Sequence, residues 1–593
     1  MVRAQGPTPQ LWYLQGAYVS GPQAVQSAEA MIDRAVAAGY TGVVLWDSSF
    51  EYFGLPSGPP SNAPYVQQVL NYAQAKGLQT TAPLPPLGYS NDMLQFNPSW
   101  SEAQRIVGPQ FQVDPTGTQL QLLNSFPGLL NPGFESGQVD WFALGDPGLG
   151  VDWSVAHSGN ASAVINNAPN DARLVQGITL TPWRQYHLQV FYKTQNFHSS
   201  WGLEILDPSG TPRFYSDVNA SGTNDWTELD FAFNSQDLTN ATIYMGVWGG
   251  SSGTLWIDDV LLEETALVYV TRGRDGVPLT VYDPNNPGSV YQEGADYNYI
   301  SDPRMNAGGN PFTDLYHPPP VVTLPGTTTL SPGQVVAMDF YSVFPGPSLD
   351  VSMCLSDENV LNFRSQNAQA IGSVVPNGTG LFLGFDEIRQ MNSCATCRAK
   401  NMSAAQLLDW SVAQTIQTYQ AAVPNAPLYI WGDMFDPNQN AVSHYFSVEG
   451  DLTGSWSGLP ANVTIMNWNL GNLATALNWF SGQNSNQPIA HQQIIAGYYD
   501  SGDGWGAAQS EVADANGIPG VMGLMYTTWS NDYSQLENFA NGARAAWSSY
   551  LNTVPAGPPV VVGPIDPGPL PIIRFQSQTT TPGATAAIGR VRR

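Results

Sequence analysis

Two rhythms of apolar and polar positions divide this chain. In the first, short apolar runs alternate with stretches of helical period. Residues 11–14, 41–46 and 78–84 read as strands; Ala28, Met31, Ile32, Ala35 and Val36 mark a helix over 24–38, and 63–75 fit a second. The rhythm stops beyond Ser101 and resumes near Asn359, where 360–371 have a helical pattern and lead into the run Leu381-Phe382-Leu383-Gly384-Phe385. It then continues through strands at 428–431, 463–468, 494–499 and 521–527, with helices at 404–421, 473–480 and 533–550. Three strands before the interruption and five after it predict an α/β fold, a (β/α)₈ TIM barrel. A doubly wound open sheet is the competing topology, but no Gly-x-Gly-x-x-Gly loop follows any strand.

The second rhythm fills the interruption. Segments such as Tyr186-His187-Leu188-Gln189-Val190-Phe191-Tyr192 alternate with period two between Gly, Pro, Asn and Asp turns. They predict an inserted all-β jelly-roll (β-sandwich) domain. The expected divisions are 1–120, first part of the barrel; 121–267, jelly roll; 268–345, a small β extension; 346–553, second part of the barrel; and 554–593, a Pro- and Thr-rich tail expected to be disordered.

Composition narrows the function classes. Charged residues are only 11% of the 593, the formal net charge is −27, and lysine occurs only at Lys76, Lys193 and Lys400, which argues against nucleic-acid or anionic-membrane partners. No run of 18 apolar residues predicts a membrane span, and Met1–Pro7 has no apolar signal core. A weakly charged acidic surface suits an extracellular or periplasmic, acid-tolerant protein. The cysteines Cys354, Cys394 and Cys397 are too few for a disulfide scaffold, and no second pair or His spacing completes a zinc set around Cys394-x-x-Cys397. A loop staple or inert thiols is the expectation.

Candidate chemistry sits at the strand ends. Asp386-Glu387-Ile388-Arg389 follows the fourth strand, and carboxylates at the carboxyl end of such a strand are where barrel enzymes place catalysis. The structural alternative is an Asp-Arg pair closing the strand. Other tips repeat the pattern: Trp46-Asp47, Trp431-Gly432-Asp433, Asn467-Trp468-Asn469, Tyr498-Tyr499-Asp500 and Trp529-Ser530-Asn531. Trp46, Asp47, Trp431, Asp433, Trp468, Asp500, Trp529 and Asn531 are therefore candidate substrate contacts. Aromatic walls hold the apolar face of a sugar ring, amides and carboxylates take its hydroxyls, and a carboxylic acid protonates the glycosidic oxygen. The expected partner is an oligo- or polysaccharide or a glycoconjugate, with no cofactor needed for catalysis.

These residues resemble the hexosaminidases of glycoside hydrolase family 20, whose fourth strand ends in Asp-Glu, whose seventh carries Tyr-x-Asp and whose eighth carries Trp. The resemblance implies hydrolysis of a β-N-acetylhexosaminide in which the substrate's 2-acetamido oxygen is the nucleophile. It implies Glu387 as acid and base, Asp386 polarising the acetamido N–H, and Tyr498 steadying its oxygen. The family's His-x-Gly-Gly is here Phe382-Leu383-Gly384-Phe385, its first-strand arginine has no equivalent, and its Trp-x-Glu is Trp529-Ser530-Asn531. Two other readings remain open: another two-carboxylate glycosidase with Asp500 as nucleophile, and a non-catalytic carbohydrate-binding protein. The insert, from Leu130-Asn131-Pro132-Gly133-Phe134-Glu135 to Leu255-Trp256-Ile257-Asp258-Asp259-Val260, resembles jelly-roll carbohydrate-binding modules. That resemblance implies a structural calcium held by Glu135 and Asp258. Trp201, Tyr215, Trp226 and Trp248 are its candidate sugar-stacking aromatics, with a core role as the alternative.

Overall fold

The computed structural model describes residues 8–55, 62–145, 148–306, 308–346, 348–487, 489–500 and 502–553. The expected tail at 554–593 and the opening Met1–Pro7 lie outside them.

Eight parallel strands close into a barrel in chain order: Gln10–Ala17, Gly42–Asp47, Gln79–Pro83, Gly380–Phe382, Leu428–Trp431, Val463–Asn467, Gln493–Gly497 and Val521–Tyr526. The first and last pair through Gln10 to Tyr13 against Gly523 to Tyr526. The regular (β/α)₈ TIM barrel expected above is nevertheless not what forms. Helix accounts for only 24% and strand for 32%, and several antiparallel sheets accompany the parallel barrel. Between the fifth and sixth strands, among the described residues, there are only the 3₁₀ turns Asp433–Phe435 and Ser455–Gly458 and the two-residue strand Ser447–Val448. The sequence there, Gly432-Asp433-Met434-Phe435-Asp436-Pro437-Asn438, explains why. Its Asp side chains bind nearby backbone N–H groups, as Asp436 does with Asn438 at 2.8 Å, and such local bonds compete with a helix. The sixth-to-seventh connection has one helix of seven residues, Leu473–Trp479, and the third-to-fourth crossover is replaced by the β insertion followed by Glu358–Val374.

Two apolar layers flank the barrel wall. Trp12, Val44, Phe382, Tyr429, Trp431, Met466, Ile494, Ala496 and Met525 fill the inside, with Trp12 and Tyr429 5.1 Å apart across it. Alternate strand residues such as Leu11, Tyr13, Val43 and Leu45 face outward and pack against the helices, because side chains along a strand alternate faces.

The insertion holds three antiparallel sheets. Two five-stranded sheets share one core built from Leu188, Val190, Trp201, Leu203, Ile243, Met245, Leu255 and Ile257. The six-stranded sheet combines Thr280–Asp283, Asn286–Tyr291, Val322–Thr323 and Val335–Ser342 with Gln104–Val113 and Gln119–Leu122. The expected division at residue 120 thus falls inside this last sheet. No helix of the described residues is long and apolar enough to cross a membrane.

Candidate functional site

At the carboxyl end of the barrel strands lies a cavity of about 400 Å³ lined by Trp46, Glu51, Pro86, Tyr89, Asp92, Asp386, Glu387, Trp431, Trp468, Tyr499 and Trp529. Its size is that of a small-ligand site. Its floor is the top of the barrel's inner core: Phe382 packs edge-on to Trp431 at 4.9 Å and to Trp46 at 5.9 Å. Trp529 closes over them, 5.5 Å from Trp46 and 6.3 Å from Trp431, and is half exposed. Trp431 is buried, yet its Nε1–H has no hydrogen-bond partner among the described residues.

The backbone explains how two adjacent carboxylates reach one cavity. Strand alternation would send Asp386 and Glu387 to opposite faces, but the strand ends at Phe382. Gly384, Phe385 and Glu387 then take left-handed φ of +75°, +69° and +42°. Such conformations cost energy in residues other than glycine and concentrate at functional sites.

The carboxylates differ in surroundings. Burial, and then the charge of nearby Asp433, push Asp386 up to about 8, so it carries a proton at neutral pH. Asp433 is itself pushed up to about 6 by burial, although Glu387 N–H at 2.9 Å, Asn440 Nδ2 at 2.8 Å and Trp468 Nε1 at 3.1 Å all donate to it. Glu387 accepts Arg389 Nη2 at 2.9 Å through one oxygen and the Tyr89 hydroxyl through the other. Arg389 is in turn held by Asp350 at 2.7 Å. Elsewhere in the lining, burial first and then the charges of Asp92 and Asp47 push Glu51 up to about 8.

Of the residues singled out from sequence, Trp46, Trp431, Trp468, Trp529, Asp386 and Glu387 line the cavity, and Asp433 lies directly behind it. Four do not. Asp47 points back to the loops, accepting Val19 N–H and Ser49 N–H, both at 2.7 Å. Asp500 accepts the Thr528 hydroxyl and the N–H groups of Trp529 and Ser530, so it fixes the Trp529 loop and offers no nucleophile to the cavity. Asn531 bonds Tyr533 at 3.2 Å. Tyr498 is buried in the outer layer, stacked on Tyr526 at 4.3 Å and against Phe539; its neighbour Tyr499 lines the cavity instead. The left-handed φ of Tyr498 (+62°) and Asp500 (+55°) bracket this exchange of faces. Glu51, Tyr89, Asp92 and Tyr499 were not singled out. The first three lie beyond the strand tips, Glu51 in the short helix Ser49–Tyr52, Asp92 in the short helix Asn91–Leu94 and Tyr89 just before the latter, where no apolar run fixes their place.

In the insertion, Trp201 belongs to the core, tilted against Tyr192 at 5.3 Å. Tyr215 packs on Phe446 of the barrel's fifth-to-sixth connection at 5.1 Å. Trp226 lies against His157 and Trp248 under the Arg173 guanidinium. Glu135 and Asp258 approach one another around Gly133, but their oxygens already accept N–H groups of the 157–161 loop and of Asp259. Through those bonds the two carboxylates clamp the loop. Of the two expectations for the cysteines, a loop staple or thiols, the staple does not form: all three are free thiols, and Cys354 joins the other two.

No family model matches the chain, and no curated protein matches it. Solved structures that match part of it include carbohydrate-binding modules. A family 61 module in complex with β-1,4-galactotriose is 22% identical over 23% of this chain and 99% of its own, with a TM-score of 0.20. A family 4 module is 19% identical over 23% of this chain and 99% of its own, also at 0.20. The xylan-binding family 22 domain of Paenibacillus barcinonensis Xyn10C is 16% identical over 24% of this chain and 97% of its own, at 0.20. The family 20 resemblance rests on sequence motifs alone.

Proposed function

We propose that the barrel cavity is a carbohydrate site and that the chain hydrolyses a glycosidic bond there. The observation that carries this reading is the convergence of Trp46, Trp431, Trp468 and Trp529 with the carboxyl pair Asp386-Glu387 on one cavity. Indole faces suit the apolar face of a pyranose, and the unpartnered Trp431 Nε1–H is a donor ready for a sugar oxygen. A glycosidase needs one carboxyl group that keeps its proton at working pH. The pKa pattern supports Asp386 in that role, with its proton delivered to the leaving oxygen. Glu387, oriented by Arg389 and Tyr89, faces the positive charge that develops at the anomeric carbon as the bond to the leaving oxygen breaks, and the substrate's 2-acetamido oxygen, then water, attacks that carbon. This gives Asp386 the proton-donor role that the family 20 resemblance implies for Glu387. A β-N-acetylhexosaminide remains the finer reading, with Tyr499 in place of Tyr498 beside the acetamido group. An extracellular setting fits the acidic, lysine-poor surface.

Binding without hydrolysis is the second reading, and one observation favours it: each oxygen of Glu387 already accepts a hydrogen bond, from Arg389 and from Tyr89, which leaves one lone pair on each for a substrate. Tryptophan-fluorescence titration with mono- and oligosaccharides, beside an assay of aryl N-acetylglucosaminide, N-acetylgalactosaminide, glucoside and galactoside, separates the two. Saturable quenching with turnover of one glycoside is the expected result. Quenching without turnover of any glycoside leaves the binding reading, and neither effect rejects the site.

A further inference from the structure

A second cluster lies where the chain leaves the barrel fold for the β insertion and where it returns. Cys354 Sγ is 3.5 Å from Cys394 Sγ and 3.6 Å from Cys397 Sγ, and Cys397 Sγ is 3.6 Å from Glu102 Oε2. All four side chains are buried, and their four donor atoms lie within 4.8 Å of one another. We propose that Glu102, Cys354, Cys394 and Cys397 form a structural zinc site.

The geometry fits that ion. Zn–S bonds of about 2.3 Å and Zn–O bonds of about 2.0 Å in a tetrahedron place sulfurs about 3.8 Å apart and a sulfur about 3.5 Å from the oxygen. The separations found are 3.5 and 3.6 Å between sulfurs and 3.6 Å from sulfur to oxygen. Three thiolates and one carboxylate are a soft-dominated donor set that favours zinc over calcium or magnesium. A disulfide could use only two of the thiols and would leave the third beside a buried carboxylate.

The surrounding groups are those of a prepared site. Glu102 Oε1 accepts the N–H groups of Ser393 at 2.7 Å and Cys394 at 2.9 Å, which leaves Oε2 turned to the sulfurs. Arg274 brings a buried positive charge to Cys394 Sγ at 3.6 Å, offsetting part of the negative charge of the ligands, and is itself fixed by the carbonyls of Ser99 at 2.6 Å and Ser101 at 2.9 Å. The Ser356 hydroxyl is 2.9 Å from Cys397 Sγ. Zinc binding displaces the thiol and carboxyl protons to solvent. The ion would tie three segments together: the exit at Glu102, the return at Cys354, and the loop that follows Asp386-Glu387.

The full chain, produced with zinc in the medium and purified without chelator, is expected to contain about one zinc per chain by plasma mass spectrometry. Replacement by cobalt should give the intense visible bands of a tetrahedral thiolate complex. Cys354→Ser and Glu102→Gln should each lower the retained metal severalfold, and zinc should protect all three thiols of the wild-type protein from alkylation. A wild-type chain that holds no zinc even after zinc is added back, whether its thiols alkylate freely or a disulfide is found by mass spectrometry, overturns the proposal without recourse to any variant.

Discussion

Asp433, at the end of the fifth barrel strand, accepts the backbone N–H of Glu387 at 2.9 Å and so fixes the turn in which the two cavity acids sit. The same carboxylate raises the pKa of Asp386 by like-charge repulsion. It therefore acts on both acids, on one through geometry and on the other through charge.

Asp433→Asn should lower kcat/KM at least about tenfold, a loss of about 1.4 kcal/mol in transition-state binding. With the neighbouring charge gone, the Asp386 pKa should fall, and the alkaline limb of the pH–rate profile should move to lower pH. An unchanged limb would show that Asp433 acts on geometry alone.

Asp386→Asn should reduce hydrolysis of substrates with poor leaving groups by about 10²- to 10⁴-fold, the range of general acid catalysis, and spare more of the rate with activated aryl glycosides. For Glu387→Gln, loss of the carboxylate should impair both kinds of substrate. If the leaving-group dependence instead follows Glu387, the proton donor has been assigned to the wrong carboxyl.

Tyr499→Phe should raise KM or weaken sugar binding with little change in melting temperature, because Tyr499 lines the cavity. Tyr498→Phe, in the packed layer beside Tyr526 and Phe539, should act on melting temperature and leave KM unchanged. Thermal denaturation and sugar titration of both variants distinguish the faces.

Stability should increase on acidification. Asp386 and Glu51 are pushed up to about 8, Asp409 to about 7 and Asp433 to about 6, all chiefly by burial, whereas unfolded carboxyl groups titrate near 4. The folded state thus binds more protons than the unfolded state between about pH 4 and these values, so stability falls as pH rises from about 4 to 8 and levels off above. The melting temperature should be higher at pH 5 than at pH 8.5. A melting temperature that rises with pH across this window would contradict the assignment.

Residues 125–267 should fold as a separate soluble unit, since the two five-stranded sheets enclose their own core. The contacts that excision gives up include the Tyr215–Phe446 packing, the Gln236 bond to the Phe446 carbonyl at 3.3 Å, the His187–Tyr316 stack at 3.7 Å and the Asn234 bond to the Arg105 carbonyl at 3.0 Å. A cooperative melt of the isolated piece is the expected outcome, and a broad or absent transition would show that the barrel contact is required.

Continuous apolar runs placed the eight barrel strands, and alternating runs placed the β insertion, because burial on two faces or on one leaves its period in the sequence. Strand-end tryptophans and Asp386-Glu387 were legible for the same reason: a residue next to a buried run has its place fixed by that run. The (β/α)₈ expectation failed at the fifth-to-sixth connection, where no helical run was legible in the sequence, because Asp and Asn side chains there bind their own backbone. Which side of the wall Tyr498, Asp500 and Asp47 would face was not legible either. Left-handed turns at Glu387, Tyr498 and Asp500 reset the alternation of strand faces, and these non-glycine residues carry no composition that announces such a turn. Tertiary structure alone brought Glu102 and Cys354 to Cys394 and Cys397, since ligands 40 to 295 residues apart have no spacing to read. The sequence determined which strands and chemical groups the protein has; packing decided which of those groups share a cavity, which share a metal-sized space, and which carboxyl keeps its proton.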